Sequence, residues 1–300
     1  MKVTRPPDLP SLLQARRLTE PCIRAAIDRL DPSTRQVCGY HFGYWDRDGR
    51  PVSGAGKGVR AALALLSTRV ADAPVEVGVP AAVACELVHN FSLLHDDLMD
   101  RDERRHHRAT VWTVYGQSAA ILAGDALLAL ASETLAEADS PHTAAAIRHL
   151  GSATRQLISG QAADLEFESR SDVSRVDCVR MASDKTGALM ACAASSGAVL
   201  AGAPATVIGA LDAYGSHLGL AFQLIDDLLG IWGSPDRTGK PIWSDLRSRK
   251  KSLPVVAALE SRTDDADRLR RLLAYDQELD ESQLEEAATL VQKAGGRAWA

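Results

Sequence analysis

Apolar residues recur at helical spacing along most of the chain, and turn signals cut the pattern into segments. From Ser11 to about Leu30 the pattern is amphipathic, with Pro21 as a kink or break. Asp31-Pro32-Ser33 is a turn before a short helix to about Trp45. Asp46 to Gly56 reads as loop, punctuated by Asp48-Gly49, Pro51 and Gly54. Helices are then predicted over Ala61 to Val70, Val77 to Asp100, Gly116 to Ala138, Pro141 to Glu168 and Val173 to Ser183. A basic loop, Arg101 to Thr110, interrupts this run. Ala205 to Leu229 is helical, and Gly230 to Arg249 is a loop carrying Gly233, Pro235, Gly239 and Pro241. Ser252 to Ser261, Asp264 to Ala274 and Glu281 to Ala294 follow, and Gly295-Gly296 stops the last helix. No stretch alternates as a strand does, and no repeat or linker divides the chain. The prediction is a single all-α domain over residues 1–300, a long bundle of about ten or more helices. Residues 1–10, with Pro6, Pro7 and Pro10, are expected to form a disordered tail.

Composition sharpens this picture. Apolar residues make up 46 % of the 300 residues and aromatics only 5 %. Ala and Leu dominate, which favours helices. A net charge of −5 argues against a nucleic-acid surface, but leaves room for a local basic cluster. The five cysteines, Cys22, Cys38, Cys85, Cys178 and Cys192, are scattered without zinc-ligand spacing. They read as reduced thiols in a cytoplasmic protein. The N-terminus lacks an apolar signal core. Gly187 to Ala205 has no charged residue, as in a membrane span, but it is mostly Ala, Gly and Ser. A closely packed buried helix is expected there, with no integral membrane segment.

The chemistry starts at Asp96, Asp97 and Asp100, which end a strongly apolar helix. A helix turns about 100° per residue, so Asp100 lies about 40° round from Asp96 and roughly 6 Å along the axis. His89 falls in the same stripe. Carboxylates this close resist ionising together unless a cation joins them, and oxygen ligands with room for water suit magnesium. A second pair, Asp226-Asp227, ends another apolar helix, with Gln223 one turn before it. A lone acidic pair is ordinarily a cap or a solvated helix end. Two pairs, each closing an apolar helix, argue for groups that face each other across a bundle and hold metals.

Basic residues flank the same helices: Lys57, Arg60, Arg104, Arg105, Arg108, Lys185, Lys240, Lys250 and Lys251. Each alone reads as solvated surface. Together with carboxylate-bound metals they suit a diphosphate. No Walker loop, Rossmann glycine pattern, nucleophile elbow or kinase signature is present. A ligand with a charged head and a greasy tail is expected.

With these residues in place, the chain resembles the trans-isoprenyl diphosphate synthases, the polyprenyl synthetase family, from about Gly54 to Leu259. Gly56-Lys57 with Arg60 resembles the family's glycine-lysine motif. His89 with Asp96, Asp97 and Asp100 resembles its first Asp-rich motif, and Arg105 and Thr110 the loop after it. Gly160-Gln161, Lys185-Thr186, Phe222-Gln223 with Asp226-Asp227, and Gly239-Lys240 through Asp245 to Lys250 follow in the family's order.

The resemblance implies an isoprenoid synthase-type bundle around a central apolar cavity. It implies a short-chain transferase of isoprenoid biosynthesis, condensing isopentenyl diphosphate with an allylic diphosphate in a homodimer. Magnesium, three ions with substrate bound, would be held by Asp96, Asp100 and Asp226, with Asp97 and Asp227 supporting. Arg105, Lys185, Lys240 and Lys250 would bind the allylic diphosphate. Lys57, Arg60, His89 and His106 would hold isopentenyl diphosphate. Thr186 and Gln223 would lie beside the allylic cation.

Two positions depart from the family pattern. Arg105 is followed by His106 and His107, where a second arginine is usual. Gly230 stands where the second motif often has a third acid. These departures leave open a terpene cyclase-like enzyme that ionises a prenyl diphosphate without condensing it. A non-catalytic subunit is a further alternative, and the intact acids speak against it. The resemblance also implies a role for Phe91, five residues before Asp96: in the family an aromatic at that place shortens the product tunnel, and the small Ser92 stands beside it. Phe91 also reads as an ordinary core residue. The product expected is C20, with C15 next.

Overall fold

The computed structural model describes residues 11–52, 56, 58–105, 107–170, 172–235, 241–274 and 277–300. The expected tail (1–10), Lys57, His106 and Lys240 lie outside the described residues. The described chain is overwhelmingly helical and groups into two compact units. One comprises the residues up to Arg155 with Leu189–Ser216, and the other Gln156–Ala188 with His217–Ala300.

The first unit begins with α1, Leu12–Ile27. Ser11 and Gln14 cap its start reciprocally, each side chain bonding the other's backbone N–H. Pro21 sits inside this helix without ending it, so the expected break is absent. Asp31 caps α2, Pro32–Phe42, through the N–H groups of Ser33 and Thr34. Gly43 closes that helix at φ 71°, a left-handed conformation suited to glycine. Next come α3, Val59–Val70, and α4, Val79–Met99, the Asp-rich helix. Leu87 and Leu94 of α4 are fully buried.

A short antiparallel hairpin, β1 (Arg104–Arg105) and β2 (Arg108–Ala109), follows. A loop is expected from the residues alone, because two-residue strands carry no alternation to detect. Then come α5, Val111–Tyr115, and α6, Gln117–Ala136, which packs along α4.

Helix α7, Thr143–Ser169, runs from the first unit into the second. Helix α8 of the second unit, Arg175–Ala182, continues through a π-helical turn, Ser183–Gly187, into α9, Ala188–Leu200, which from Leu189 on belongs to the first unit. Every residue of α9 is buried, as its small side chains suggest, and at 13 residues it falls short of the ~20 needed to cross a bilayer. By length and composition Val75–Met99 and Gln117–Ala136 would qualify, although the former is mostly buried.

Helix α10, Ala205–Trp232, carries the second acidic pair. Ser244–Arg247, Leu253–Leu259, Asp264–Leu273, Glu281–Lys293 and Gly296–Trp299 complete the fold. The second unit's core gathers Ile231, Leu246, Val255, Leu269, Leu284 and Val291. Phe167, Cys178, Met181, Leu253 and Val256 form a further cluster beside α8.

Candidate active site

The acids at the end of α4 fall into two kinds. The Asp100 N–H donates to the Asp96 carbonyl at 2.8 Å, so the last turn stays helical and these two carboxylates stand one turn apart. Asp96 is half-buried and Asp100 exposed. Asp97, about 100° further round the helix than Asp96, points inward and is 2 % exposed. Its Oδ1 accepts from Arg105 Nε at 2.7 Å.

Arg105 is placed by the hairpin. The Tyr40 hydroxyl donates to the Ala109 carbonyl at 2.8 Å. The Arg108 guanidinium lies 4.5 Å above the Tyr40 ring. Thr110 Oγ1 and Trp112 Nε1 each donate to the Asp102 carbonyl at 2.8 Å. These contacts tie the second strand to Tyr40, and Thr110 and Trp112 to Asp102.

On the N-terminal side of α4, Glu86 accepts the Ala61 N–H at 3.0 Å, which caps the start of α3. Burial pushes the Glu86 carboxyl above its ordinary range, against the Arg60 charge and the Ala61 N–H. Glu86 is three residues before His89 on the same helix, and the Arg60 charge acts on its carboxyl. Sequence reasoning missed it. The available signal was a single acid inside the apolar run Val79–Val88.

In the second unit, Lys185 and Thr186 sit on the π-helical turn, a departure from α-geometry that recurs at functional sites. The turn lies against α7 because Gly160 has no side chain: a Cβ there would come within 2.2 Å of the Lys185 nitrogen. Lys185 Nζ donates to Asp164 Oδ2 at 2.6 Å. Burial raises the Asp164 carboxyl, but the Lys185 and Lys250 charges outweigh it and leave Asp164 below its ordinary value. Asp164, four residues after Gly160 on α7, was absent from the expected site. Beside Gly160, the Gln161 side chain is buried and neither of its amide atoms has a partner among the described residues.

A relay runs from Thr186. Its hydroxyl donates to Gln223 Oε1 at 2.7 Å, and Gln223 Nε2 donates to Asp227 Oδ1 at 2.8 Å. Asp227 Oδ2 accepts the Leu253 N–H at 2.9 Å. Asp227 is 4 % exposed, and burial pushes its carboxyl up against the Lys250 charge and these bonds. Asp226 is exposed. In both acidic pairs the first acid is the more exposed and the second is buried. Gly230 is filled from outside: a Cβ there would lie 2.4 Å from Asp245 Cγ, so the Asp245 carboxylate occupies that space.

No group of three or more His, Cys, Asp or Glu converges as a metal cage among the described residues. Magnesium is usually held by one or two carboxylates, with phosphate oxygens and water completing the octahedron. Asp96, Asp100 and Asp226 fit that donor chemistry.

The polyprenyl synthetase family model matches residues 50–291. The chain belongs to the polyprenyl synthetase family. Its relatives match it along nearly its whole length. It is 53 % identical over 296 residues to a (2E,6E)-farnesyl diphosphate synthase of Mycobacterium bovis, covering 97 % of this chain and 82 % of that one. It is 43 % identical to a geranylgeranyl diphosphate synthase of Mycobacterium tuberculosis, covering 97 % and 84 %. The crystal structure of a polyprenyl synthetase from Streptomyces coelicolor superposes with a TM-score of 0.92 at 54 % identity, covering 97 % and 89 %. The all-α fold of that family is the fold seen here.

Proposed function

We propose that this chain is a short-chain trans-prenyltransferase that joins isopentenyl diphosphate to an allylic diphosphate and releases farnesyl or geranylgeranyl diphosphate. Family membership and the two named mycobacterial relatives support the reaction class. The observation that carries the reading is the matched pair of acidic helix ends, each with a more exposed carboxylate followed by a buried one. The higher identity to the farnesyl synthase favours C15, whereas the sequence alone leans to C20.

Asp96, Asp100 and Asp226 would hold magnesium, which would supply positive charge for the departing diphosphate. Arg105, Lys185, Lys240 and Lys250 bind the allylic diphosphate and take up the charge that grows as the carbon–oxygen bond breaks. Asp97 orients Arg105, and Asp164 orients Lys185. The Thr186 and Gln223 oxygens offer dipoles to the allylic cation. Lys57, Arg60, His89 and His106 hold isopentenyl diphosphate, with Glu86 positioning Arg60. The released diphosphate accepts the proton lost from the condensed product, so no histidine or serine base is needed.

Phe91, 6 % exposed, closes the tail's path along α4, while the Ser92 hydroxyl is turned back to the His89 carbonyl at 2.8 Å. The enzyme acts as a cytoplasmic homodimer in this reading. Ile121 and Leu122 of α6 are 44 % and 62 % exposed, which supports an apolar face for the second copy. Purified chain, magnesium, isopentenyl diphosphate and C5 to C15 starters test the reading. Condensation supports it, and release of hydrocarbon or alcohol from a prenyl diphosphate alone would favour the cyclase alternative.

A further inference from the structure

We infer that His95 is a specificity-determining residue, a brace that holds the Phe91 ring in place and so sets how long the product grows. The inference rests on the reading of Phe91 as the end of the tail's path. His95 is one helical turn after Phe91 on α4, so the two side chains share a face. Their rings meet edge to face, with centroids 4.9 Å apart and planes at 72°.

His95 is itself held from behind. Its Nε2 lies 3.1 Å from the Ile121 carbonyl of α6. A carbonyl only accepts, so Nε2 carries the hydrogen. Asp125 Oδ1 stands 3.9 Å from the same nitrogen. The ring also rests on Gly124: a Cβ there would lie 2.3 Å from Nε2 and 2.5 Å from Cδ2. Only glycine admits the imidazole at this depth. Backbone bond, glycine seat and ring contact fix one His95 orientation, and that orientation blocks the Phe91 ring from swinging toward α6. No residue of this seat belongs to the set assigned above to metal or diphosphate.

The test is the product distribution with excess isopentenyl diphosphate. His95→Ala removes the brace and leaves Phe91 in the chain. The share of product one C5 unit longer rises several-fold, while kcat/KM for the allylic starter stays within about twofold. His95→Gln, which keeps a donor for Ile121 but lacks the ring, shifts the distribution the same way and serves if His95→Ala does not fold. His95→Phe keeps a ring and keeps the wild-type product. In a Phe91→Ala background, His95→Ala adds nothing further. If Phe91→Ala lengthens the product but both His95→Ala and His95→Gln leave it unchanged, the brace is overturned and the Phe91 reading stands. If Phe91→Ala leaves the product unchanged, both fall.

Discussion

Asp97 and Arg105 form a 2.7 Å ion pair in which the carboxylate is almost wholly buried and the guanidinium is partly open. The acid is thereby a structural partner as well as a member of the Asp-rich motif. Its neighbour Asp96 is not enclosed in this way.

The two acids therefore respond differently to truncation. Asp97→Ala leaves Arg105 without its buried partner and lowers stability by about 1–3 kcal/mol, a drop of a few degrees in melting temperature. Asp96→Ala truncates a less buried acid with like charges nearby and lowers the melting temperature less than Asp97→Ala does. Both lose turnover. Thermal unfolding without magnesium separates them, and equal melting losses would contradict the division of labour.

Gly230→Asp restores the acid common at this position in the family. Here the added Cβ meets Asp245 at 2.4 Å and the new carboxylate faces a like charge. Turnover falls rather than rises, and stability drops by about 1–3 kcal/mol. A gain in turnover at unchanged stability would show that Asp245 does not fill the place.

Asp164 gives a pH signature. Its carboxyl lies below the ordinary 3.8 in the fold, because Lys185 and Lys250 outweigh burial. A lowered acid contributes stability above its unfolded value and loses it as pH falls through the folded value. Urea unfolding in chelator should show wild type more stable than Asp164→Asn at pH 6, with the gap closing below about pH 4. A gap that widens on acidification would contradict the ion pair.

Much of this was legible in the residues. Apolar periodicity placed the long helices, and acids closing Val77 to Asp100 and Ala205 to Leu229 marked the candidate site. Other features depend on distant partners. The hairpin at Arg104–Ala109 is fixed by Tyr40, about 65 residues upstream. Nothing in Ser183–Gly187 announces a π-turn, which forms where Gly160 lets Lys185 approach α7. Asp96-Asp97 and Asp226-Asp227 look alike as dipeptides. Helix phase turns one acid of each inward, and the partners waiting there are Arg105, Gln223 and the Leu253 N–H.

Phe91→Ala opens the buried end of the tail's path. The main product lengthens by at least one C5 unit, read by chromatography of the dephosphorylated alcohols. An unchanged chain length would make Phe91 an ordinary core residue.

The proposed condensation requires two acidic helix ends loaded with magnesium. Its most direct measurement is the product formed when the purified chain, alone, receives isopentenyl diphosphate and geranyl diphosphate with and without magnesium. Farnesyl or geranylgeranyl diphosphate should form with the metal, vanish on chelation, and be lost in Asp96→Ala and Asp226→Ala. Undiminished condensation in chelator, or in either variant, would contradict it.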